Sequence, residues 1–291
     1  MDYLQEAIER ARQKREGVIG RTPPPGTRTT RTVDRQHESR DPGLRAGGSA
    51  LGAIRGNGAS LAVPTRQVVY SQTRVVEPDQ QVLANNRIIA WDIDDPRVEA
   101  YRQLRSQVLS AMKRNGWKTL LITGPREDVG KSLTAVNLAL CISHEMNQTV
   151  MLVDLDFREP SVCPTLGIEP EKGIVDYLVD HEPLENILIN PGYPRFVVVP
   201  CLPRGQHASE FLNMPEMDEF LADVRNRYAD RIVIFDAPPL LRNDDAMVFA
   251  PKVDACLMIV EDGGSDPADI KRSLQLLEGV QLIGTVLNKA R

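Results

Sequence analysis

Six short, nearly unbroken apolar runs mark the later part of the chain: Thr119–Thr123, Thr149–Asp154, Phe196–Val199, Arg231–Asp236, Ala255–Val260 and Leu282–Leu287. Between most of them lie stretches with helical character, Lys131–Met146, Glu216–Tyr228, Asp244–Phe249 and Asp266–Leu277. Runs without in-and-out alternation belong to strands covered on both faces. Their alternation with helices predicts an α/β fold, a mostly parallel sheet with helices on both faces. Ahead of them, Asp95-Pro96 reads as a helix start. Val98, Tyr101, Leu104, Val108, Leu109 and Met112 then recur at helical spacing to about Arg114. Gln67–Val76 and Asn86–Trp91 read as extended.

The first 66 residues follow another pattern. Over 2–15, Leu4, Ala7, Ile8 and Ala11 share one side of a short helix, either frayed in solvent or docking on a partner. Residues 17–66 have no periodicity and are rich in Gly, Pro, Thr, Arg and Ser. Too little apolar surface is available there to offset the entropy of ordering, which predicts a disordered basic linker. Its arginines either serve as a solubilising tether or contact nucleic acid or anionic lipid. The reading is thus a helix over 1–16, a linker over 17–66 and one α/β domain over 67–291.

Composition adds an asymmetry. The 291 residues carry a net charge of −5, shared as +5 over residues 1–66 and −10 over the rest, a basic tail on an acidic body. No apolar run approaches the roughly 18 residues of a membrane-spanning helix. The first residues also lack the apolar centre of a secretion signal, so a cytoplasmic location is expected. The four cysteines, Cys141, Cys163, Cys201 and Cys256, include no CxxC pair and read as core residues. The four histidines suggest no metal site.

The chemistry begins where the first run ends. Thr119–Thr123 leads into Gly124-Pro125-Arg126-Glu127-Asp128-Val129-Gly130-Lys131-Ser132, and a helix follows. Strand, loop and helix in that order form the setting of a phosphate-binding loop, in which unpaired amides at a helix start meet phosphate oxygens. The candidate nucleotide-binding set is Gly124, Val129, Gly130, Lys131, Ser132 and Leu133. Gly130 allows close backbone approach, Lys131 reaches the terminal phosphates and Ser132 holds magnesium. The strict spacing asks for glycine at Pro125, and here the glycine stands one place earlier. Glu127 and Asp128 are unusual neighbours for a polyanion unless they point away or face a metal.

A magnesium–nucleotide site also needs carboxylates at the carboxyl ends of neighbouring strands. Val150-Met151-Leu152-Val153-Asp154-Leu155-Asp156 and Ile232-Val233-Ile234-Phe235-Asp236 supply them. Asp236 is expected to hold magnesium. Asp154 either holds metal or orients and deprotonates the attacking hydroxyl or water.

Taken together, the loop, Val153–Pro160 and Ile232–Pro239 resemble the bacterial tyrosine kinases of capsular and exopolysaccharide biosynthesis, within the MinD/ParA-like P-loop ATPases. The resemblance covers roughly Asp95 to Arg291. It implies ATP and Mg2+ as ligands, and Lys131, Asp154, Asp156 and Asp236 as the catalytic set. It further implies an adenine contact from Asn288 and subunit contacts in a ring through Glu99, Arg102 and Arg105. Arg158 either contacts phosphate or bridges Asp156 or Glu159. The family's usual partner is a membrane chain-length co-polymerase, so recruitment to the inner face of the membrane is expected. No nucleic-acid partner is expected, since the loop lacks the lysine of the partitioning ATPases. The sequence has no tyrosine after Tyr228, which sets aside a C-terminal tyrosine cluster as its own substrate and leaves Tyr3 and Tyr70 as other candidates. The alternative function is a MinD/ParA-type ATPase switch that positions cellular machinery without phosphorylating protein.

Overall fold

A computed structural model describes residues 73–203 and 208–290. The helix expected over 1–16, the linker over 17–66, and Tyr3 and Tyr70 lie outside them. Eight strands form one sheet: β1 (Arg74–Val75), β2 (Thr119–Thr123), β3 (Thr149–Asp154), β4 (Ile189–Asn190), β5 (Phe196–Val199), β6 (Arg231–Asp236), β7 (Ala255–Glu261) and β8 (Leu282–Asn288). Their order is β1-β4-β5-β3-β6-β2-β7-β8, and β4 with β5 is its one antiparallel pair.

Ten α-helices accompany the sheet among the described residues. They are α1 (Gln80–Asn85), α2 (Glu99–Asn115), α3 (Lys131–Ser143), α4 (Val162–Leu166), α5 (Ile174–Asp180), α6 (Leu184–Ile187), α7 (Ala208–Leu212), α8 (Pro215–Asn226), α9 (Asp245–Phe249) and α10 (Pro267–Leu276). None is long and apolar enough to cross a membrane.

Side chains alternate across a strand, so each central strand feeds two cores. Leu120, Ile122, Val150, Leu152, Ile232 and Ile234 face the core built with α2 and α3. Leu121, Met151, Val153, Val233 and Phe235 face the core built with α5 and α8. Both faces are therefore covered, as the unbroken apolar runs predict. Helix α3 is buried almost all round, from Thr134 to Ser143. A helix clad in apolar contacts on every side cannot tilt freely, and this fixes where its N-terminus points.

The extended reading of Asn86–Trp91 is corrected. The segment leaves α1 as a turn, with Ile88 N–H bonded to the Leu83 carbonyl at 2.8 Å. The N–H groups of Ile89 and Ala90 then donate to Asn137 Oδ1 at 2.9 and 3.0 Å. A buried side chain on α3 thus satisfies donors that would otherwise need a neighbouring strand.

Candidate nucleotide-phosphate site

The carboxyl ends of β2, β3, β6 and β8 converge on a cleft of about 590 Å³. Lys131, Ser132, Leu133, Gly130, Asp156 and Asn288 are among the residues that line it. The loop from β2 to α3 owes its shape to two glycines. Gly130 has φ +93°, and a Cβ there would overlap the side-chain amide of Asn288. A Cβ on Gly124 would stand 2.6 Å from the Ile259 carbonyl oxygen. Asn288 closes the turn by donating to the Val129 carbonyl at 2.8 Å.

The loop after β6 is stapled to this turn. Leu240 N–H donates to the Gly124 carbonyl at 2.9 Å and Leu241 N–H to that of Pro125 at 3.2 Å. Thr123 Oγ1 donates to the Pro238 carbonyl at 2.8 Å. Pro239 joins the cleft wall, so the double proline shapes the loop and brings no chemistry of its own.

The aspartates ending β3 and β6 are register partners, Asp154 opposite Asp236. Both are buried, and their surroundings divide their work. Asp154 accepts from the backbone N–H groups of Asp156 at 3.0 Å and of Ser161 and Val162 at 2.9 Å, which folds residues 155–162 around it. Neither oxygen of Asp236 accepts a hydrogen bond of good geometry. The Ser132 hydroxyl lies beside it and accepts from Ser161 Oγ at 2.6 Å. Burial pushes both carboxyl pKa values up, and for Asp154 the charge of Asp236 adds to the effect. Lys131 is also buried, and desolvation lowers its pKa against the pull of Asp236, Asp156, Asp128 and Glu127. Its ammonium approaches the Arg126 carbonyl at only 3.5 Å, a weak contact.

A buried carboxylate without partners, beside a hydroxyl and beneath a lysine, fits a hard divalent cation with oxygen ligands. Ser132 and Asp236 would hold such an ion. Asp156 faces the cleft and is itself fixed by N–H groups of Arg158 and Glu159 at 3.2 and 2.9 Å.

The acidic pair in the loop also finds its explanation. Asp128 occupies a left-handed turn, φ 58°. Glu127 is bound by Arg242 at 2.8 Å. Arg126 points away to pair with Asp269 on α10. Arg158 contacts neither Asp156 nor Glu159 through its side chain; its guanidinium meets the buried Asp245 at 3.6 Å. Sequence reasoning missed Arg242, Glu159, Arg87 and Ser161 as cleft residues. Arg242 and Glu159 are 83 positions apart, and no local pattern announces such a pair.

On α2, Arg102 pairs with Glu99 at 3.3 Å and also reaches the Ile93 carbonyl. Arg105 turns inward to Glu145 at 3.0 Å and to the Cys141 carbonyl. The three residues thus lie along one helix, with Arg105 the most enclosed of them, its side chain 20% exposed.

No protein-family model matches the chain. It is similar to EpsB of Ralstonia nicotianae, 30% identical over 200 residues, which cover 67% of this chain and 26% of that one. It is also similar to the tyrosine-protein kinase Etk of Escherichia coli, 29% identical over 259 residues, 84% of this chain and 35% of that one. The chain therefore spans only a quarter to a third of the length of these relatives. The solved kinase domain of Escherichia coli ETK is 27% identical, with a TM-score of 0.63 over 76% of this chain and 88% of that one. The cell-division ATPase MinD of Pyrococcus furiosus, 20% identical with a TM-score of 0.50, shares the fold.

Proposed function

Since the P-loop domain of this chain is related to those of the bacterial tyrosine kinases, we propose that it binds ATP with Mg2+ and phosphorylates protein tyrosines in exopolysaccharide assembly. The observation that carries the site reading is the buried, unpartnered carboxylate of Asp236 beside Ser132 and Lys131. When bound, a metal ion held by Ser132 and Asp236 would supply positive charge that offsets the charge of the phosphates and of the departing ADP.

The chain's own groups do the rest. Amides at the start of α3 and the ammonium of Lys131 bind the β- and γ-phosphates. Asp156 accepts the proton of the tyrosine hydroxyl as its oxygen bonds to the γ-phosphorus and the bond to the β-phosphate oxygen breaks, releasing ADP. Asp154, whose oxygens are taken by three N–H groups, is a positioning residue for Asp156 and Ser161. Asn288 flanks the cleft where the base would lie. Catalysis of this kind rests on placement and charge neutralisation.

None of the described tyrosines is placed to reach the cleft of its own chain, so the acceptor is a tyrosine of another chain or one outside the described residues, such as Tyr3 or Tyr70. Among the described residues, Tyr101, Tyr177 and Tyr193 are half-buried. Tyr228, 43% exposed, precedes β6 and so lies at the end of the sheet opposite the cleft. Partners consistent with this are further copies, meeting through Glu99, Arg102 and Arg105, and a membrane chain-length co-polymerase that recruits the domain to the inner face of the membrane.

Purified protein incubated with γ-labelled ATP, alone and with a chain-length protein, tests the activity. Labelled phosphotyrosine is expected, and Lys131→Ala should abolish it. Phosphate release without any labelled tyrosine would instead leave a hydrolysing switch of the MinD/ParA type.

A further inference from the structure

Four carboxylates line the nucleotide cleft, as many as its cations, which is an unusual share of negative charge for a polyanion site. The acids are Glu127, Asp128, Asp156 and Glu159, and the cations are Arg87, Lys131, Arg242 and Lys289. One residue changes this balance. Arg242 donates to both oxygens of Glu159 at 2.9 and 2.8 Å, and its Nη1, one of those two donors, also forms an ion pair with Glu127 at 2.8 Å. It thereby ties the loop after β3 to the phosphate loop across the cleft. Its own backbone is held in place, because Leu240 and Leu241 bond to the carbonyls of Gly124 and Pro125.

Resting on the nucleotide-binding reading, we propose that Arg242 is a positioning residue, an internal counter-ion that neutralises Glu127 and Glu159 and keeps them from competing with the triphosphate for Lys131. Fork-shaped donation to Glu159, with an ion pair to Glu127 beside it, suits arginine, whose charge does not titrate at any working pH. The carboxyl of Glu159 is held below its ordinary value, first by Arg242 and also by the field of Lys131. Glu127 is in turn among the groups acting on Lys131. The two acids and the lysine therefore share one field, and Arg242 is the cation paired with both acids.

The pairs are half-open to solvent, with Arg242 34% and Glu159 62% exposed, so they contribute little to folding. Removing the arginine should therefore cost ligand affinity and leave the fold intact. Against ATP, the unmasked carboxylates act by repulsion; against an uncharged ligand they would do nothing.

The test is calorimetric titration of the full chain with MgATP in wild type, Arg242→Gln, Glu127→Gln/Glu159→Gln and the triple variant. Arg242→Gln should weaken binding about 10-fold, about 1.4 kcal/mol, with its melting temperature unchanged. The triple variant should return to within about 3-fold of wild type, on the same tenfold scale, because the acids that needed masking are gone. Unchanged affinity in Arg242→Gln would overturn the inference. A triple variant as weak as the single one would also overturn it, since Arg242 would then contact the phosphates itself. Wild-type protein that fails to bind MgATP at all would instead remove the nucleotide reading beneath it.

Discussion

At the scale of single residues, the site sets stability against function at Asp236. Its carboxyl is buried and carries a raised pKa, from burial first, with Lys131 and Ser132 only partly offsetting it. The unfolded carboxyl loses its proton near ~4, while the folded one keeps it to higher pH. Between those values the folded state binds more protons, so without ligand the contribution of Asp236 to stability falls as pH rises. Asp236→Asn keeps the shape and removes the charge. At neutral pH, without nucleotide or metal, it should melt about 2–8 °C above wild type, the range for a gain of ~1–2 kcal/mol in a domain of this size. The fall of melting temperature with pH should also become shallower. Added MgATP should stabilise wild type and leave the variant unmoved. A ligand-free variant that melts below wild type, with an unchanged pH slope, would show that the carboxylate is paired in a way the geometry does not contain.

At the scale of elements, the central strands were legible because a strand buried on both faces has to be apolar throughout. The sequence limits for β2, β3, β5 and β6 coincide with the observed ones, and β7 and β8 each extend one residue further. The helix start read at Asp95-Pro96 was legible for a local reason, since proline suits a first helical turn: Pro96–Val98 is a 3-10 turn that leads into α2, and the stretches read from Glu216 and Asp266 begin within one residue of α8 and α10. Two of the misreadings fall where tertiary contacts decide the structure, whereas the missed α1 carries a local cap from Asp79. β4 is two residues long and exists because β1 and β5 flank it. The segment after α1 was misread as a strand because its donors are met from 48 positions away, by Asn137. That dependence can be measured. Asn137 also donates to the Leu133 carbonyl at 2.9 Å and, more loosely, to that of Arg87 at 3.3 Å. Asn137→Ala leaves two N–H groups without a partner and should cost about 2–4 kcal/mol. Urea unfolding should show this as a lower midpoint with an unchanged slope. A cost below about 0.5 kcal/mol, the size of an ordinary surface change, would mean that another acceptor takes over.

At the scale of the whole molecule, the site is where chain order and spatial order part company. Lys131, Asp154, Asp236 and Asn288 come from four separate stretches, and the crossovers of a parallel sheet bring them to one edge. The strand-ending aspartates and the glycine-rich loop announced themselves by position, at the ends of apolar runs. The division of labour between Asp154 and Asp236 did not, because it depends on which carboxylate the loop 155–162 wraps. The mask over Glu127 and Glu159 likewise depends on an arginine far along the chain.

The proposed phosphoryl transfer depends on a single MgATP site assembled from these separated segments, and hydrogen exchange read by mass spectrometry tests that assembly directly. Adding MgATP should slow exchange together in residues 124–133, 154–162 and 236–242 and around Asn288, and Lys131→Ala should erase the whole pattern. Protection confined to one of these segments, or appearing at the opposite end of the sheet near Tyr228, would contradict it.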